Sequence, residues 1–250
     1  MNVKKDRIDK ILVDRGLTQS RERARALIMA GQVVVADHVA EKPGQMVPVA
    51  AEVRLKGELL PFVSRGGLKL QKALDEFNID VTGLTILDVG ASTGGFTDCL
   101  LQRGAAKVIA VDVGHGQLAW KLRQDERVVN LEKTNIRYLT PDKLPHIPDL
   151  AVIDASFISL AKVLPATLIL LKDEAVIIAL IKPQFEVGRG EVGKGGVVRD
   201  AMKHREVITA ISSVAENLGL KVRGVTESPI LGPKGNREFL IFMVKVAGTP

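Results

Sequence analysis

The sequence predicts an α/β protein in two parts: a small α+β unit at the front and a larger domain on a seven-stranded, mostly parallel sheet. Three observations carry this. From residue 85 onward, short continuous apolar runs alternate with helical stretches, the pattern of a parallel sheet covered on both faces. The first of those runs ends in a cluster of glycines that leads straight into a helix. Residues 1–75 hold 14 Lys/Arg against 9 Asp/Glu, whereas residues 76–250 hold 21 against 20. The excess charge therefore marks off the front of the chain and points to a segment that meets polyphosphate.

In the front part, Ile8, Ile11 and Leu12 fall at helical spacing, with Gly16 as a stop. Ser20 is a good N-cap for a second helix, which stacks Ala24, Leu27 and Ile28 on one face and ends at Gly31. The other face carries Arg21 and Arg25, one turn apart. Short β-prone pieces follow at 32–35, 39–40 and 53–55, separated by turn residues Asp37 and Pro43-Gly44. The expected division is a small domain over 1–59, a linker over 60–63 where Pro61 interrupts the pattern, and a large domain over 64–250. In the large domain Leu70, Ala73, Leu74 and Phe77 make an i, i+3, i+4, i+7 stripe. Strands are expected at 85–89, 108–111, 128–131, 150–153, 175–181, 221–225 and 239–246.

Composition excludes several classes. With 250 residues, 46% of them hydrophobic, the chain can bury a sizeable core. Its single cysteine, Cys99, excludes an intrachain disulfide framework and a thiolate zinc cluster. The four histidines show no metal-ligand spacing, so no metal is expected. The longest apolar run, Ala175–Ile181, is far short of the roughly 20 residues that span a bilayer. No apolar signal segment follows Met1, and a cytoplasmic location is the expectation.

The glycine turn reads Asp88-Val89-Gly90-Ala91-Ser92-Thr93-Gly94-Gly95, then a helix with Phe96, Cys99 and Leu100 on one face. Its G-x-x-x-G-G spacing differs from the G-x-G-x-x-G of dinucleotide enzymes. Asp112 closes the second strand, 22 residues after Gly90, where an acid can hydrogen-bond a ribose. Together these look like a Rossmann-like class I S-adenosylmethionine-dependent methyltransferase. A related domain binding another nucleotide is the alternative.

The acceptor can be narrowed further. Enzymes that methylate exocyclic base nitrogens resemble one another in a D/N-P-P-Y/F tetrapeptide after the fourth strand. Here that place reads Asp154-Ala155-Ser156-Phe157, without either proline. Enzymes that methylate carbon five of pyrimidines use a cysteine nucleophile, and Cys99 faces the core. Hydroxyl and other nitrogen acceptors remain. A ribose hydroxyl must have its proton removed or shared, which a lysine can do when burial or a second cation lowers its own affinity for protons. Lys182 follows a central strand directly, at the edge where ligands gather in open α/β sheets.

Lys69, Asp154, Lys182 and Glu238 match the Lys-Asp-Lys-Glu tetrad of ribose 2′-O-methyltransferases of the FtsJ type. The strings Val63-Ser64-Arg65-Gly66-Gly67, Asp112-Val113-Gly114-His115-Gly116-Gln117, Lys182-Pro183-Gln184-Phe185-Glu186 and Gly232-Pro233-Lys234-Gly235-Asn236-Arg237 resemble the TlyA family across essentially the whole chain. Residues 7–55 resemble the S-four-type RNA-binding domain, with Ala36-Asp37-His38 where that family often has Asn-Gly.

The resemblance implies S-adenosylmethionine as cofactor, ribosomal RNA as partner and methylation of a cytidine 2′-hydroxyl. Members with short C-termini resemble a subgroup linked to large-subunit RNA, and this chain ends at Pro250, so 23S RNA is the expected substrate with 16S RNA as a second. Lys182 would take or polarise the hydroxyl proton, Lys69 would lower the affinity of Lys182 for protons and contact phosphate, and Asp154 and Glu238 would hold the two ammonium groups. Asp112 would bind the adenosine ribose, and Asp88, Phe96, Asp154 and the amides of 90–95 would complete the cofactor site. Arg7, Arg21, Arg25 and Arg65 would contact RNA, joined by Arg189 and Lys194 of a glycine-rich loop over 188–196. A non-catalytic ribosome-binding factor, a base methyltransferase and a membrane-active haemolysin are the other readings.

Overall fold

The computed structural model describes residues 4–36, 38–56, 61–188, 190–193 and 195–246. The chain divides into two compact units, Met1–Leu60 and Pro61–Pro250.

The first unit runs β1 (Lys5–Arg7), α1 (Ile8–Asp14), α2 (Arg21–Met29), β2 (Val33–Val35), β3 (His38–Val39), β4 (Met46–Pro48) and β5 (Val53–Leu55). Ile8, Ile11 and Leu12 of α1 pack with Ala24 and Ile28 of α2 and with Val33, Val35, Val47 and Val53. The Ser20 hydroxyl caps α2 by accepting from the Arg23 amide at 3.2 Å. Gly16 and Gly31 take φ of +68° and +67° just past the two helices, the left-handed geometry that lets glycine end them. β2 pairs antiparallel with both β3 and β5. The β2–β3 turn holds Ala36 at φ +42°, while Asp37 lies outside the described residues. Pairing of β1 with β4 is absent from the sequence reading, because Lys5-Asp6-Arg7 is three charges in a row with no alternation.

The second unit continues with α3 (Gly66–Glu76), β6 (Thr85–Val89), α4 (Gly95–Gln102), β7 (Lys107–Val111), α5 (Trp120–Arg123), β8 (Val128–Leu131), β9 (Leu150–Ile153), α6 (Leu160–Leu168), β10 (Ala175–Ile181), α7 (Pro183–Glu186), α8 (Ala201–Asn217), β11 (Leu220–Glu227) and β12 (Phe239–Lys245). The sheet order is β11-β12-β10-β9-β6-β7-β8. Strands β10, β9, β6, β7 and β8 are parallel, and β12 enters antiparallel between β10 and β11.

Continuous apolar strands have two faces to bury, and the helices cover both. Leu87, Val89, Ile109, Ala151 and Ile153 share a core with Leu160 and Leu164 of α6 and Ile211 of α8. Their neighbours in sequence, Ile86, Val108, Leu150 and Val152, point the other way and pack with Leu70 and Leu74 of α3 and Phe96 and Leu100 of α4. Strand order reverses at β6, flanked by β7 on one side and β9 on the other. A crevice opens at such a switch point, beyond the carboxyl ends of the strands.

The stretch read as a linker has more structure than proline alone implies. Leu60 lies outside the described residues, and Pro61-Phe62-Val63 is tied to the second unit. The Val63 amide donates to Asp98 Oδ2 at 2.8 Å, and Gln102 donates to the Pro61 carbonyl at 3.0 Å. The Phe62 ring is buried over Gly67, where a Cβ would stand only 2.3 Å from it. Phe62→Ala is therefore expected to lower the unfolding free energy by about 3 kcal/mol, the usual size for a buried phenylalanine. Chemical denaturation measures this.

Candidate active site

Four charged side chains meet at the carboxyl edge of the sheet. Lys69 is in the first turn of α3, beside the buried stripe Leu70, Ala73 and Leu74, which draws it inward. Asp154 follows β9 directly, Lys182 follows β10 directly, and Glu238 immediately precedes β12. Because β12 runs antiparallel, with Phe239 opposite Ile181, its first residue lies at the same edge as the last residues of its parallel neighbours.

The ammonium of Lys69 lies 2.6 Å from Glu238 Oε2 and 3.9 Å from Asp154 Oδ2. The ammonium of Lys182 lies 2.6 Å from Asp154 Oδ1. That contact is an ion pair without hydrogen-bond alignment, since Oδ1 has no directed partner, and Lys182 donates instead to Ser156 Oγ at 2.7 Å. Asp154 thus bridges the two lysines. Both lysines are buried and Glu238 is fully so. Two cations and two anions balance, which is what makes such burial tolerable. Gly232 leaves room for the acid, because a Cβ there would fall 2.1 Å from Glu238 Oε1.

A cleft of about 260 Å³ joins this cluster to the glycine turn, lined by Arg65, Lys69, Gly90, Ala91, Ser92, Thr93, Gly95, Phe96 and Asp154 among others. Gly90 combines φ +84° with a carbonyl of Asp154 that would stand 2.8 Å from any Cβ, so only glycine fits. The expectation that the 90–95 amides meet a ligand is corrected for four of them. Gly90 and Ala91 donate to the Val111 carbonyl, Gly94 to Ala91, and Ser92 to Asp112 Oδ2 at 2.8 Å. The turn thus holds itself in shape, and close backbone approach is its main provision.

Asp112 also accepts from the Gly114 amide at 2.6 Å, so it braces two loops at once. Each carboxylate oxygen keeps a second lone pair. Asp88, placed by the sequence among the cofactor residues, is fully buried beneath the turn and accepts from Thr97 Oγ1 at 2.6 Å. It supports the loop from below and does not line the cleft. Burial, with Asp154 and Asp112 adding repulsion, pushes its carboxyl up to about 7. The Cys99 thiol is buried and pushed up to about 12, as an inert core residue would be.

Two aromatic residues escaped the sequence reading. Phe157 is 90% exposed at φ +64°, and its ring centroid lies 5.0 Å from that of Phe185. Phe185 in turn lies 6.0 Å from the Lys182 ammonium. The readable signal was an aromatic three residues after Asp154, where only the missing prolines had drawn notice.

The basic candidates are placed as follows. Arg65 is exposed at the start of α3, on the cleft wall. Arg7, Arg21 and Arg25 of the first unit converge on one carboxylate, Asp9, at 3.0, 3.0 and 3.5 Å, and the guanidiniums hold that carboxyl far below its usual range. Asp9 was not foreseen. Arg189 and Lys194 lie outside the described residues.

Residues 62–245 match the FtsJ-like methyltransferase family, and residues 6–53 match the S4 domain. Over 238 residues the chain is 49% identical to the 16S/23S rRNA (cytidine-2′-O)-methyltransferase TlyA of Mycobacterium tuberculosis, covering 95% of this chain and 89% of that one. The chain belongs to the TlyA family of FtsJ-like methyltransferases. Another relative, Hemolysin A of Brachyspira hyodysenteriae, is 41% identical over 95% of this chain and 99% of its own. A solved Streptococcus thermophilus structure that also bears a hemolysin name superposes with a TM-score of 0.77 at 46% identity, covering 100% of this chain and 91% of that one. Among the described residues no helix is long and apolar enough to cross a membrane.

Asp88 gives this TlyA-family domain a distinctive pH response. Between about pH 4, where an unfolded aspartate titrates, and about 7, the folded state carries a proton that the unfolded chain has lost. Its contribution to stability therefore falls as pH rises through that window. Comparing denaturant unfolding of the wild type and Asp88→Asn at pH 5 and pH 8 isolates this component. The balance should move in favour of the variant at the higher pH.

Proposed function

We propose that this protein transfers a methyl group from S-adenosylmethionine to the ribose 2′-hydroxyl of a cytidine in ribosomal RNA. The observation that carries the reading is the buried Lys69–Glu238 and Lys182–Asp154 pairing at the end of the cleft. Such a site suits an acceptor that must give up a proton while it attacks carbon. A cytidine in ribosomal RNA is the acceptor named for the Mycobacterium tuberculosis relative.

The residues present suit the cofactor. The Gly90 turn allows a ligand close to the backbone, Asp112 offers free lone pairs to ribose hydroxyls, and Asp154 lines the cleft at the junction with the lysines. When bound, S-adenosylmethionine supplies an electrophilic methyl carbon. The protein's own task is then alignment and proton handling. Lys182 first releases a proton by way of the exposed Ser156 to water, and as a neutral amine it then accepts the proton of the hydroxyl as the methyl carbon leaves sulfur for oxygen. Asp154 fixes Lys182, and Glu238 fixes Lys69, whose charge faces the cleft that Arg65 also lines. Phe157 and Phe185 present ring faces next to Lys182, a surface on which a base can stack. The arginines of the first unit would hold the RNA backbone.

Lys182→Ala should leave cofactor binding intact in calorimetry and reduce methylation at least 100-fold, the smaller end of the range for a proton-transfer group. Undiminished turnover would remove Lys182 from the chemistry. The substrate itself is tested by mass spectrometry of nucleosides from 23S and 16S RNA, from cells with and without the gene. The expected product is 2′-O-methylcytidine, and a mark on the base would overturn the assignment.

A further inference from the structure

The RNA-docking part of the proposed function depends on arginines whose geometry is set by a residue with no role of its own so far. Asp9 lies in the first turn of α1 with its side chain fully buried. Arg7, at the end of β1, grips it with two prongs, Nε to Oδ1 at 3.0 Å and Nη2 to Oδ2 at 3.0 Å. Arg21 Nη2 reaches Oδ2 at 3.0 Å, and Arg25 Nε reaches it at 3.5 Å.

One guanidinium is enough to neutralise one buried carboxylate. Here three gather on it, leaving a local surplus of positive charge. Their side chains stay 43%, 49% and 57% exposed, so each still presents donors to the surroundings. A guanidinium has five N–H donors, and Asp9 takes one or two from each. An arginine that is fixed beforehand loses less freedom when it meets an anion.

We infer that Asp9 is a positioning residue that holds Arg7, Arg21 and Arg25 as one preformed site for phosphates of the RNA backbone. This rests on the proposed RNA docking, and the two can fail separately.

The test exploits a sign. Asp9→Asn makes the domain more positive, so a loose basic patch would bind RNA as well as before or better. A positioned site must bind worse. The probe is purified large ribosomal subunits, titrated at several salt concentrations against the full-length wild type, Asp9→Asn, Glu22→Gln and a triple variant with Arg7, Arg21 and Arg25 changed to Ala. Glu22 is exposed on α2, and its variant adds the same charge without touching Asp9.

Asp9→Asn is expected to bind about 10-fold more weakly, with the slope of log K against log salt shallower by about 1 to 2. Glu22→Gln should bind at least as tightly as the wild type. If the triple variant loses affinity while Asp9→Asn does not, the Asp9 assignment is overturned. If the triple variant binds as the wild type does, the docking reading itself falls, and this inference with it. Thermal unfolding checks that each variant folds. Should Asp9→Asn not fold, Asp9→Glu decides, because it keeps the charge and moves the carboxylate by one methylene. Weaker binding then supports the inference, and wild-type binding overturns it.

Discussion

The second unit is organised around two lysine–carboxylate pairs, one buried and one reaching the cleft through Asp154. Neither Lys182–Asp154 nor Lys69–Glu238 would be tolerable alone in such surroundings without its partner, since a buried unpaired charge destabilises by several kcal/mol. The pairs also touch one another through Asp154, so the four groups form one network. Each member comes from a different element: the start of α3, the ends of β9 and β10, and the approach to β12. Local structure alone could not bring them together. The sheet order does, by laying β9, β10 and β12 side by side.

The glycine turn answers to the same constraint. Asp154 must reach both lysines, and its carbonyl lies against Gly90. The loop that shapes the cleft and the strand end that carries the carboxylate are therefore packed backbone to backbone. Asp88 and Thr97 support this arrangement from beneath, at the expense of a carboxyl whose Oδ1 is buried and unpartnered. A buried acid of this kind favours its neutral form, which is why the support is pH-dependent.

Much of this was readable from residue order. Central strands such as β9 and β10 appear as apolar runs, because strands covered on both faces need apolar side chains at every position, whereas edge strand β11 carries Lys221, Arg223 and Glu227. The tetrad was legible through family resemblance and not through spacing, since Lys69 and Glu238 are 169 residues apart. What escaped depends on distant partners or on backbone geometry that residue order does not display. β1 is a run of charges that pairs only because β4 lies beside it. Asp9 looks like an ordinary acid in a first helical turn until three arginines from elsewhere close over it. The exposure of Phe157 follows from a left-handed backbone at that residue, which no propensity announces. The Gly90, Ala91 and Ser92 amides were misjudged because their partners, Val111 and Asp112, lie across a strand pairing.

The antiparallel entry of β12 has a consequence for both the sheet and the centre. Glu238 leads the final strand of the sheet, and that strand fills the gap between β10 and β11. Without β12, β11 has no strand of the sheet to pair with and Lys69 has no Glu238. The strand that ties β11 to the rest of the sheet is thus also the one that brings Lys69 its carboxylate.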